Sequence, residues 1–162
     1  MPDSAATSTM LLKVLSEHFW HIAPKFVEAH GSLADLSKQY DAVLVIGDEC
    51  LIKPPAAGLK AYDLAEEWYK YTKKPFVFAL FATRVDSWIE WPDEVREFHQ
   101  KLVMAYDYTT NNFHDLITCA QKMTGLSVES LEKYYKGLDY YLDSNHFQGL
   151  EQFAALNQKC TL

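Results

Sequence analysis

From Ser8 onward, Met10, Leu11, Val14, Leu15 and Phe19 recur at helical spacing, with Lys13, Ser16 and Glu17 between them. The pattern predicts an amphipathic helix, with Thr7 or Ser8 as its N-cap and Pro24 as its limit. A different pattern follows the polar Gly31-Ser32 stretch. Ala42-Val43-Leu44-Val45-Ile46 is a continuous apolar run, bounded by Asp41 and by Gly47-Asp48. Its β-branched residues and lack of alternation read as a buried parallel strand. Pro54-Pro55 and Gly58 then mark a loop. Asp63 to Lys73 carries Leu64, Trp68 and Tyr71 on one helical face, with Glu66-Glu67 near its start and Lys73-Lys74 at its end. Those charges match the sign of the helix dipole at each end. Pro75 breaks this helix, and Phe76 to Ala82 reads as a second buried strand. The order α-β-α-β predicts an α/β layer fold with a parallel or mixed sheet.

The second half reads as helical. Pro92 opens a helix to about Tyr106, with Val95, Phe98, Leu102 and Val103 as its apolar stripe. A second runs from about Asn112 to Met123 and stops at Gly125, and Ser127 caps a third through Leu131 and Tyr135. Leu138 to Asp143 is read as a short strand, and Ser144 as the cap of a last helix that turns Phe147, Leu150, Phe153 and Ala154 inward.

Composition narrows the function classes. A chain of 162 residues with 49% hydrophobic positions can bury a substantial core. The net charge of −7 leaves no surplus of Lys and Arg to neutralise nucleic-acid phosphates. It leaves room for a locally held anionic ligand. Cys50, Cys119 and Cys160 form neither a disulfide framework nor a CxxC pair, which points to a reduced, cytoplasmic setting. The first nine residues lack the basic and apolar regions of a signal peptide. No window reaches the roughly 18 to 20 apolar residues of a membrane span.

Two places could hold an anionic ligand. At the start of the first helix, unpaired backbone N–H groups and the hydroxyls of Thr7 and Ser8 suit a carboxylate or phosphate, though ordinary caps look the same. At the end of the first apolar run, Gly47 would let a ligand approach the backbone, and Asp48 could hold a substrate hydroxyl. An Asp in that position also serves as a plain turn residue. His18 and His21, beside Glu17, have i, i+3 spacing but no third ligand at a set distance, so helix-surface histidines are the reading and no metal is expected. Glu66 and Glu67 point about 100° apart on a helix and do not form a carboxylate pair. The aromatic residues at 68, 88, 91, 134, 135, 140 and 141 read as core and subunit-contact material.

At these same residues the chain resembles the chorismate dehydratase family of the futalosine route to menaquinone. The resemblance runs through Asp3–Lys13 (DSAATSTMLLK), Asp41–Leu51 (DAVLVIGDECL) and Tyr62–Ala82 (YDLAEEWYKYTKKPFVFALFA). It continues more weakly within Tyr140–Phe153, where YLDSNHFQGLEQF is similar to the family's closing helix. The related dihydroxynaphthoate synthase branch tends to carry a His-Glu pair where this chain has Gly47-Asp48.

The resemblance implies periplasmic-binding-protein type II-like lobes, with residues 1–60 as a ligand-binding lobe and 61–162 returning to a helix-rich, partial second lobe. It implies cofactor-free dehydration of chorismate to 3-[(1-carboxyvinyl)oxy]benzoate, with Thr7, Ser8, Gly47 and Asp48 as substrate contacts. The family's Ser-Arg-Thr-Ser motif is Ala5-Ala6-Thr7-Ser8 here, and a family Gly is Ala65. The family pattern also begins with a segment that has no counterpart before Met1, so an N-terminally truncated chain is expected, without the groups that segment supplies. Three functional expectations follow: an enzyme, a module that binds a small carboxylate without turnover, or a structural remnant. The expected partners are a small dicarboxylate and either a second copy or a complementing chain, with no nucleic acid and no membrane.

Overall fold

The computed structural model describes residues 6–47, 50 and 58–161. The first helix, α1 (Ala6–Val14), passes directly into one π-helical turn, Leu15–Phe19. Most of the expected apolar face is buried, since Leu11, Val14 and Leu15 have no solvent exposure, whereas Met10 stays exposed. They meet Trp68, which is equally enclosed, on α3 (Leu64–Thr72). Asp63 caps α3, its carboxylate accepting from the N–H groups of Ala65 at 2.8 Å and Glu66 at 3.0 Å. Lys73 ends α3 in the left-handed region at φ 58°.

The closing helix, α8 (Ser144–Lys159), packs across α1 and completes this core with Phe153 and Leu156. Its cap is Asp143 rather than Ser144, because the Asp143 carboxylate reaches two backbone N–H groups. Gly149 lets α8 lie against the chain at Pro75, since a Cβ there would overlap the Pro75 carbonyl oxygen. Trp68 joins these elements through edge contacts with Phe76 at 5.7 Å and Phe153 at 5.9 Å between ring centroids. A short helix, α2 (Leu33–Leu36), is capped by Ser32. These elements belong to a compact unit of residues 1–78 and 142–162.

A second unit, residues 79–141, is built from α4 (Val85–Glu90), α5 (Pro92–Asn111), α6 (Phe113–Thr124) and α7 (Val128–Lys136). Pro92 opens α5 as its sequence predicts, but the helix continues beyond Tyr106 to Asn111. Gly125 ends α6 at φ 70°, and Ser127 caps α7 by accepting from the Ser130 N–H. The interior of this unit comes from Ile117, Ala120, Leu126 and Leu131.

The α/β expectation is overturned. Among the described residues there is no strand, so neither the parallel or mixed sheet nor the periplasmic-binding-protein type II-like architecture is present. Residues 42–46 have no backbone ladder, and Val43 to Ile46 instead line a groove with Leu33 and Leu36. Phe76, at the head of the second run, is taken into the helical core, whereas Phe81 is almost fully exposed. Residues 138–143 form an irregular connection in which the Tyr141 N–H donates to the Asp139 carboxylate. The physical reason is common to all three runs. Apolar character demands burial, which helix faces can supply, but a strand also needs a neighbouring backbone in register. The Pro54-Pro55 loop lies outside the described residues.

Candidate functional site

Thr7 and Ser8 are the second and third residues of α1, inside the helix and not at the cap position expected for them. Their N–H groups are among those that begin a helix without an intrahelical partner. Both side chains are half-buried, and no hydrogen bond among the described residues engages either hydroxyl. The first turn of α1 carries no acidic residue, and Lys13 lies in its last turn, with its ammonium 5.4 Å from the centre of the Phe26 ring. Nothing negative on the helix itself therefore opposes an anion at its start.

Gly47 occupies a turn closed by the Cys50 N–H donating to its carbonyl at 3.1 Å. Its φ of 77° is the reason for glycine here, since a Cβ would meet nothing within 4 Å. The run leading to Gly47 walls a groove of about 190 Å³ with Ala29, Gly31, Leu33 and Leu36. The groove has no charged side chain, so any anion within it would rely on backbone donors. Asp48 lies outside the described residues. No hydrogen bond among the described residues joins the start of α1 to Gly47.

Glu17 has a role that the sequence pattern does not disclose. Its carboxylate accepts from the Thr161 N–H at 2.7 Å, the Thr161 hydroxyl at 3.1 Å and the Cys160 thiol at 3.3 Å. His18 Nε2 lies 3.1 Å from the Leu156 carbonyl, whereas His21 is exposed at φ 54°. The two histidines therefore do different things and do not converge. Together Glu17 and His18 hold the end of α8 against α1, a contact between residues far apart in sequence.

A larger groove, of about 510 Å³, lies in the second unit between Ala82-Thr83 and the Trp91, Glu94, Val95 and Phe98 face of α5. Among the described residues that line it, the charged one is Glu94, the wrong sign for a dianionic ligand. The helical spacing of those four residues is the signal in the sequence that could have located it.

The arrangement is that of a helical protein with a candidate small-anion site at a helix start. The chain belongs to the menaquinone biosynthesis family, whose model matches residues 1–159. It is similar to the chorismate dehydratase of Thermus thermophilus, with 28% identity over 171 aligned positions. That alignment covers 95% of this chain and 60% of the relative, so the chain spans about 60% of the length of the curated protein it matches. No described helix is long and apolar enough to cross a membrane.

Proposed function

We propose that the chain acts in menaquinone biosynthesis as a carbon–oxygen lyase that removes water from chorismate to give 3-[(1-carboxyvinyl)oxy]benzoate. The observation that carries this reading is the likeness to a chorismate dehydratase along 95% of the chain. The reaction breaks a ring C–H bond and the C–O bond of the adjacent hydroxyl. The C–H electron pair becomes the new ring double bond, and proton and hydroxide leave together as water. Aromatisation supplies the driving force, so the protein's tasks are to orient the substrate and guide a proton.

In this reading Thr7 and Ser8 hold a substrate carboxylate at the start of α1, and Gly47 and Asp48 are further substrate contacts. The absence of an acid from the first turn of α1 supports the anion's placement there. Three cysteines without a disulfide support a cytoplasmic setting. A second reading is binding without turnover, favoured by the groove that leads to Gly47, which has no titratable side chain in its lining to move a proton.

Incubation with chorismate, followed by ultraviolet absorbance, separates the two. Appearance of the aromatic ether supports the enzyme. No turnover, with a chorismate-dependent rise in melting temperature, supports the binding module. Absence of both responses overturns both readings. Ser8→Ala and Asp48→Ala should each remove the ligand-dependent rise, and an unchanged rise in both variants would refute the assigned contacts.

A further inference from the structure

We propose that Tyr141 is a site of one-electron oxidation, at which Asp107 accepts the phenolic proton as the electron leaves. The Tyr141 hydroxyl donates to the Asp107 carboxylate at 3.0 Å, although the two are 34 positions apart in sequence. That distance lies within the reach a proton acceptor needs. Among the described residues, Tyr141 is the tyrosine whose hydroxyl is held by a carboxylate. Asp107 has no ion pair among the described residues, so no cation draws its oxygens away. Two further contacts, both within the second unit, hold Tyr141 in place. Its N–H donates to the Asp139 carboxylate at 3.0 Å, and its ring meets the Tyr106 ring edge to face at 4.7 Å between centroids. Both limit the freedom of the side chain and keep the hydroxyl on its acceptor.

Partial burial, and then the hydrogen bond to Asp107, push the Tyr141 phenol above its ordinary 10.0. At neutral pH an oxidant therefore meets the phenol and not the phenolate. Taking an electron from a phenol makes its O–H strongly acidic, and an acceptor already in place lets proton and electron leave together. One electron passes from the ring to the oxidant, the O–H bond breaks, and the proton joins the Asp107 carboxylate. A neutral tyrosyl radical and a carboxylic acid remain, and the negative charge leaves with the oxidant. The co-reactant is a small one-electron oxidant, of the peroxyl-radical or ruthenium(III) class, to which a ring that is 46% exposed is open.

Two other tyrosines separate this chemistry from simple access. Tyr71 is 47% exposed and stacks on Phe19 at 4.8 Å, which matches Tyr141 in both exposure and ring contact. Tyr108 is more open, at 67%. Neither hydroxyl donates to a carboxylate among the described residues.

Brief photolysis of the full chain with ruthenium tris(bipyridine) and persulfate tests this, with loss of each intact tyrosine followed by fragment-ion mass spectrometry. Tyr141 should be consumed first of the three. Water competes as acceptor at an exposed site, so the expected lead over Tyr71 is at least about threefold rather than larger. Asp107→Asn keeps the size of the side chain but supplies no carboxylate to take the proton. It should lower the Tyr141 rate to that of Tyr71 and leave the Tyr71 rate, the Tyr108 rate and the circular dichroism unchanged. Consumption of Tyr108 first, in line with exposure, would overturn the proposal, as would equal rates at Tyr141 and Tyr71. An undiminished Tyr141 rate in Asp107→Asn would overturn it too. The wild-type ranking of the three tyrosines decides the matter whatever the variant does to folding.

Discussion

Ser16 and Trp68 each place a polar atom in the interior without a hydrogen-bond partner among the described residues. For Trp68 the ring compensates, because its edges and faces meet Phe19, Phe76 and Phe153. Ser16, in the π-helical turn, has no such return for its buried hydroxyl. Ser16→Ala should therefore raise unfolding stability by about 1 kcal/mol, measured as a higher urea midpoint at unchanged slope. Gly149 gives the opposite case. Adding a methyl group at Gly149 drives it into the Pro75 carbonyl, and Gly149→Ala should cost about 2 kcal/mol despite alanine's better helix propensity. A neutral result would show that α8 does not press on Pro75.

At the scale of elements, the ends of α8 are held by different chemistry. At its N-terminus the Asp143 carboxylate accepts from the His146 N–H at 3.0 Å and the Asn145 N–H at 2.8 Å. His146 returns the contact, with Nδ1 2.7 Å from the carboxylate and 3.3 Å from the Asp143 N–H. The His146 backbone and then its side chain hold the Asp143 carboxyl below its ordinary 3.8, with smaller help from the Asn145 backbone. The cap's contribution is fully present above that ordinary value and is lost as pH falls through the depressed folded-state value. Protection of the amides in the first turn of α8, measured against their intrinsic exchange rate at each pH, should fall on acidification below about pH 4 in the wild type. In Asp143→Asn the same amides should lack this acid-dependent step, because asparagine caps without titrating. The far end of α8 is held instead by Glu17, through a contact no local sequence signal announces.

For the molecule as a whole, the abandoned strand runs have a consequence in solution. Phe76 to Ala82 is apolar, uncharged and free of proline, and Phe81 is 82% exposed. Such a segment seeds intermolecular pairing when the chain is partly unfolded. Phe81→Lys should reduce light scattering on heating while changing folding stability by no more than about 0.5 kcal/mol. Equal scattering in the two proteins would locate the aggregation elsewhere.

Local rules written in neighbouring residues were legible before any fold was known. The buried face of α1, the span of α3, Pro92 opening α5, Gly125 ending α6 and Ser127 capping α7 all follow from spacing, proline geometry and short-range hydrogen bonding. The family was legible too, through ordered blocks of residues that the family model also spans. Of the candidate site, the sequence located Thr7 and Ser8 at a helix start, whereas Gly47, expected at the end of a strand, sits in a turn. What only the tertiary structure decided was the fate of the apolar runs at 42–46 and 76–82, the tie from Glu17 to Thr161, and the fit of Gly149 against Pro75. Helix periodicity and caps are set within a few residues, so one sequence contains both halves of each interaction. A sheet ladder, a side-chain tie across the fold or a close backbone approach needs a partner distant in sequence, and only folding determines which partner arrives.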